Sequence, residues 1–84
     1  MSGKDWGRAV RRLLADVLQR PPDEVATLPD ATRLFGPELN LDSFSGMALL
    51  ALIASDYGLD IASDDIGLES LETIGTLAAY VSRQ

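Results

Sequence analysis

The sequence predicts an all-α bundle with a long loop after its first helix and a short third helix, and three observations lead there. Apolar residues recur at helical spacing in separate stretches, residues that cap or stop helices bracket those stretches, and strand-like alternation is absent throughout. There is no internal repeat and no low-complexity tract, so four helical pieces around one core is the simplest architecture.

Trp6, Val10, Leu13, Leu14 and Val17 fall at i, i+4, i+7, i+8 and i+11, one stripe of an amphipathic helix running from about residue 4 to 18. Pro21 and Pro22 prevent its continuation. Arg8, Arg11 and Arg12 lie off or at the edge of the stripe and read as a solvated face. Residues 19–42 hold Pro21, Pro22, Pro29, Gly36 and Pro37 without a sustained period. Structureless loops of that length are uncommon inside compact domains, so this one should either contain a short turn of helix around Asp23 to Ala26 or serve a function, and Val25, Leu28, Leu34, Phe35 and Leu39 could pin it to the core.

The second helix should open at Asp42 or Ser43 and close near Tyr57, where Gly58 supplies a left-handed terminal position. Its core stripe reads Gly46, Leu49, Leu50, Ile53 and Tyr57. Residues 63–68 have polar caps and room for about one turn, the short third helix. Thr73 then caps a last helix whose Ile74, Leu77, Ala78 and Val81 share a face and which ends near Arg83.

With 84 residues, a chain buries only about 60–65% of its unfolded surface, so residues 1–84 are expected to form a single domain. No Cys and no His are present. That removes disulfides, thiolate and imidazole metal sites, Cys nucleophiles, His bases and Ser-His-Asp triads, and the chain is read as a non-enzyme. The start lacks a secretory pattern, which gives a cytoplasmic expectation. The longest strictly apolar run, residues 47–54, has eight residues, against roughly 20 needed to span a bilayer. No membrane span is expected.

Net charge is −6. Lys4, Arg8, Arg11 and Arg12 against Asp5 leave +3 on residues 1–12, so residues 13–84 carry −9. A body this acidic repels phosphate backbones, which argues against nucleic acid as a partner and for basic protein surfaces.

The chemistry concentrates at Leu41-Asp42-Ser43-Phe44, where the long loop meets the second helix. Unpaired backbone N–H groups and the positive end of the helix dipole converge there and favour a phosphate. Ser43 would be exposed to a modifying enzyme, with Asp42 beside it to orient a basic partner or a metal-bound cosubstrate. Either residue could equally serve as a plain N-cap.

The stretch Leu34-Phe35-Gly36-Pro37-Glu38-Leu39-Asn40-Leu41-Asp42-Ser43-Phe44 resembles the attachment region of acyl and peptidyl carrier proteins. Two further stretches are similar to that family in order and spacing: Tyr57-Gly58-Leu59-Asp60-Ile61, and the Thr73-capped Leu71-Glu72-Thr73-Ile74-Gly75-Thr76-Leu77-Ala78-Ala79-Tyr80-Val81. The resemblance implies an acyl-carrier-like bundle in which Ser43 receives 4′-phosphopantetheine from coenzyme A and Asp42 belongs to the motif read by a phosphopantetheinyl transferase. It implies a monomeric, free-standing shuttle whose other partners are an acyl- or aminoacyl-loading enzyme and downstream synthase or tailoring enzymes. Magnesium would belong to the transferase. The missing Cys suits such a role, because no protein thiol competes with the arm's thiol.

Asn40 and Phe44 depart from the residues the family more often shows, Gly and Leu. Asn tolerates left-handed backbone, so the turn can survive. A larger departure is the absence of charge from residues 43–55, where fatty-acid carriers typically place acidic residues. Phe44, Met47, Ala48 and Ala51 lie opposite the core stripe and are expected to form an apolar docking face, the alternative being that a small bundle buries this helix on more than one side. Asp56, Asp60, Asp64 and Asp65 could steer basic partners from the helix end. The reading is a carrier in polyketide, nonribosomal peptide or related specialised metabolism. Alternatives are a carrier for primary fatty-acid synthesis and, in another class, an unmodified acidic helical interaction domain.

Overall fold

The computed structural model describes residues 5–83. Lys4, the expected start of the first helix, lies outside them. Helix α1 spans Trp6–Leu18, and Asp5 caps it by accepting the Arg8 N–H at 3.1 Å. It stops before the prolines act: Gln19 turns left-handed (φ 55°) and the Arg20 N–H reaches back to the Ala15 carbonyl at 3.0 Å. Helix α2, Pro22–Ala26, then fills the turn expected in the loop, with Pro22 at its first position, where the missing N–H costs nothing.

Helix α3 spans Ser43–Tyr57 and closes on Gly58 at φ 69°. A 3₁₀ turn, Ile61–Ser63, leads into α4, Asp65–Glu69. The short third helix falls in the expected stretch, and of its polar residues Asp64 supplies the cap, accepting the Ile66 N–H at 3.0 Å. A second 3₁₀ turn, Ser70–Glu72, precedes α5, Ile74–Ser82, whose Thr73 cap is the expected one. The described residues contain no strand, only an isolated antiparallel bridge between Arg33 and Thr73.

α1 lies at the centre of the bundle, packing against α2, α3 and α5. The core joins Val10, Leu13 and Leu14 of α1 to Leu49 and Ile53 of α3 and to Ile74, Leu77 and Val81 of α5, all buried. At one end the Trp6 and Tyr57 rings meet edge to face, 5.4 Å between centroids, tying the start of α1 to the end of α3. Tyr80 also joins the core, and its hydroxyl donates to Asp64 at 2.8 Å. That bond, more than burial, holds the phenol above its ordinary pKa.

The long loop is fixed by more than its apolar residues. Val25, Leu34, Leu39 and Leu41 are buried and Leu28 is half-buried, but Phe35 is 55% exposed. Phe35 thus lies against α3 at Gly46 instead of pinning the loop to the core. Backbone bonds do the remaining work: Ile74 N–H to the Thr32 carbonyl at 3.0 Å, Gly75 N–H to Asp30 at 2.9 Å, and Leu34 N–H to Glu72 at 3.0 Å. Arg11 is a correction to the solvated-face reading. Its side chain is only 14% exposed; its guanidinium donates to the Leu28 and Gly7 carbonyls and pairs with Asp30 at 2.6 Å. Three loop and helix acceptors replace water around this cation, so it bolts the loop to α1.

Candidate functional site: the entrance of helix α3

The loop approaches α3 through a left-handed Asn40 (φ 52°), whose N–H reaches the Gly36 carbonyl at 2.7 Å. Asn pays less than most residues for that backbone, which is why the turn survives without glycine. Leu41 then buries its side chain and anchors the chain one residue before the cap. Between the anchors Leu41 on one side and Leu49 and Ile53 on the other, Asp42, Ser43, Phe44 and Met47 are left exposed.

Asp42 is the N-cap. Its Oδ1 accepts the Ser45 N–H at 2.8 Å, and this bond leads the influences that hold its carboxyl below the ordinary value of 3.8. The carboxylate is consequently ionised at neutral pH. Ser43 is the first helical residue, exposed, and among the described residues no hydrogen bond engages its hydroxyl. Of the two cap candidates, then, Asp42 caps and Ser43 is left over. The helix end contributes about half a positive charge, which offsets part of the repulsion between Asp42 and any phosphate placed on Ser43.

These surroundings fit a phosphodiester tether. The hydroxyl is accessible and uncommitted, it sits at the charge-favourable end of a helix of 15 residues, and Asp42 rather than Ser43 maintains that end. Beside Ser43 a groove of about 190 Å³ opens, walled by Phe35, Leu41, Met47, Leu50 and Leu71. Sequence reasoning missed Leu71, because nothing in its local pattern tells that the turn before α5 returns to face α3.

The expected apolar face is present in three of its four residues. Phe44 is 83% exposed, Met47 71%, and Ala51 is exposed, whereas Ala48 is half-buried. The core stripe is correspondingly narrower than expected: only Leu49 and Ile53 are buried, while Gly46, Leu50 and Tyr57 are half-buried. Asp56, Asp60 and Asp65 are exposed, but Asp64 is occupied by the α4 cap and the Tyr80 hydroxyl.

A larger groove, about 390 Å³, lies between α1 and α2. Its lining mixes Arg8, Arg11 and Arg12 with Asp5 and Asp23, and Arg11 is already committed to the loop. With its charges largely balanced and no nucleophile among its residues, it offers less chemistry than the smaller groove at Ser43.

Among the described residues no helix is long and apolar enough to cross a membrane. No curated protein and no solved structure matches the chain. A family model described as the phosphopantetheine attachment site matches residues 8–81, from the first turn of α1 to the last turn of α5, and so takes in the loop, the α3 entrance and α4. The chain belongs to the phosphopantetheine-attachment family, whose members bear a covalently bound 4′-phosphopantetheine and act as carriers rather than catalysts.

Proposed function

We propose that Ser43 is the attachment residue and that the chain shuttles acyl or aminoacyl groups between enzymes of polyketide, nonribosomal peptide or related specialised metabolism. The observation that carries the attachment is the uncommitted Ser43 hydroxyl at the first position of α3, inside the family match. In loading, the Ser43 oxygen forms a bond to the phosphorus that bears pantetheine in coenzyme A. The pyrophosphate link breaks, adenosine 3′,5′-bisphosphate leaves, and the hydroxyl proton passes to a base of the phosphopantetheinyl transferase, since this chain has no His to take it. Once bound, the arm supplies a terminal thiol on which cargo is held as a thioester.

What the chain contributes is presentation. Asp42 stays ionised and keeps the first turn of α3 wound, so Ser43 is offered to the transferase on a fixed backbone. Phe44, Met47 and Ala51 present apolar surface to the loading enzyme and to the downstream synthase or tailoring enzymes. The uncharged run 43–55 supports specialised metabolism over primary fatty-acid synthesis.

Intact mass after incubation with coenzyme A and a broad-specificity transferase tests the attachment: one phosphopantetheine should be gained, and none by Ser43→Ala. An unchanged mass for the native chain would refute it. For the docking face, Met47→Glu should slow transfer to a partner enzyme about tenfold, the effect of an interface residue of about 1.4 kcal/mol, while arm attachment proceeds. Undiminished transfer would remove Met47 from the docking face.

A further inference from the structure

We propose that Arg20 is a positioning residue for arm attachment: by holding the Glu38 carbonyl it fixes the turn that delivers Ser43 to the transferase. This rests on Ser43 being the attachment residue.

Arg20 leaves the end of α1 from a fixed point. Gln19 is left-handed at φ 55° and the Arg20 N–H is bonded to the Ala15 carbonyl at 3.0 Å, so the Arg20 backbone is locked to a helix of 13 residues. From there the half-buried side chain crosses to the loop, where a guanidinium nitrogen donates to the Glu38 carbonyl at 2.8 Å. A donor that carries charge makes a stronger bond than a neutral one. Among the described residues no backbone amide takes that carbonyl, so its partner in the fold is Arg20.

Glu38 lies inside the turn that aims the chain at α3. The Asn40 N–H spans it to the Gly36 carbonyl at 2.7 Å, and Pro37 has no N–H with which to add a second bond. Asn40 itself is left-handed at φ 52°, a backbone that costs a non-glycine residue free energy and persists only where its surroundings enforce it. Buried Leu39 and Leu41 enforce it through their side chains. Arg20 enforces it through the main chain, two residues ahead of Asn40 and four ahead of the Asp42 cap. Released from Arg20, the turn samples backbones in which Asn40 is not left-handed, and the direction in which Asp42 and Ser43 leave Leu41 varies with them. The transferase then meets a smaller fraction of competent chains. Its apparent affinity falls by that fraction, while the chemical step on a competent chain is unaltered.

The test uses the full chain, with the mass gain of the native protein recorded first, and then the kinetics of arm attachment at varied carrier concentration. Arg20→Ala should raise KM for the carrier about three- to tenfold, the net worth of one hydrogen bond, and leave kcat unchanged. Arg20→Lys, which keeps the charge and can still donate to the carbonyl, should recover most of that loss. In the free, unloaded chain, hydrogen exchange of the Asn40 and Ser45 amides, which report the turn and the cap, should quicken in Arg20→Ala. The Leu77 amide, bonded to the Thr73 carbonyl in α5, should change far less. An unchanged KM in Arg20→Ala overturns the proposal, and so does a lysine variant as impaired as the alanine one. A raised KM with Asn40 and Ser45 exchange unmoved makes Arg20 a contact of the transferase instead, and exchange that quickens equally at Leu77 makes it a general stabiliser; either result overturns the positioning role and leaves the carrier reading standing. Absence of a mass gain in the native chain overturns the attachment reading and this proposal with it.

Discussion

Helices α3 and α5 begin with the same device and put it to opposite uses. In each, a side-chain oxygen of the N-cap accepts the N–H three residues on: Asp42 from Ser45 at 2.8 Å, Thr73 from Thr76 at 3.1 Å. At α5 the arrangement closes inward. The Thr76 hydroxyl accepts the Thr73 N–H at 2.9 Å and donates to the Ser70 carbonyl at 2.7 Å, and the loop carbonyls of Thr32 and Asp30 take the Ile74 and Gly75 N–H groups. All three leading amides are thereby satisfied by the fold. At α3, among the described residues, no loop carbonyl takes the Ser43 or Phe44 amide, and the Ser43 hydroxyl has no partner. An entrance whose donors are all used is structural; one whose donors and hydroxyl are left over is available for attachment. Charge separates them too, since the neutral Thr73 cap is indifferent to pH and the Asp42 cap is not.

Four measurements can break or sharpen that contrast. The largest effect belongs to the α5 side: Leu77→Ala should cost about 2–5 kcal/mol in urea unfolding, because Leu77 is fully buried and its removal leaves a cavity. Thr73→Ala comes next, at about 0.5–2 kcal/mol, as the cap and its reciprocal bond are lost together. Ser43→Ala should stay within about 0.5 kcal/mol of the native chain, an exposed position with no bond to lose. A Ser43→Ala cost as large as that of Thr73→Ala would mean that Ser43 helps to hold the fold, and the contrast would fail.

The smallest effect is in the pH response. The Asp42 carboxyl titrates below 3.8 in the folded chain. A depressed folded pKa gives stability that is complete above the unfolded value and lost as pH falls through the lower folded one. The Asp42 carboxyl carbon, followed by NMR, should therefore show a midpoint under 3.8, whereas in Thr73→Ala that midpoint should be unmoved. A midpoint at or above the ordinary value would show the cap bond to be unformed in solution.

Most of the fold was legible because helices announce themselves through period and caps. The stripe of Trp6, Val10, Leu13, Leu14 and Val17, the Gly58 stop and the Thr73 cap all follow from local rules, and the structure places them as expected. What local rules could not reach are contacts made by residues far apart in sequence. Arg11 read as solvated because its acceptors lie 17 and 19 residues away in the loop. Asp64 read as a steering charge because Tyr80 lies 16 residues on. Phe35 read as core because hydropathy does not reveal that Gly46 offers it a shallow seat on α3. At the candidate site, an Asp-Ser pair before an apolar helix locates the entrance of α3, but only the Asp42–Ser45 bond tells which of the two residues is the cap.

The use of that entrance can be measured most directly by locating the arm on the peptide. After loading with coenzyme A and transferase, fragmentation of the peptide containing Ser43 and Ser45 should place the phosphopantetheine on Ser43 alone. An arm on Ser45, whose N–H is held by Asp42, or no arm on either serine, would contradict the account.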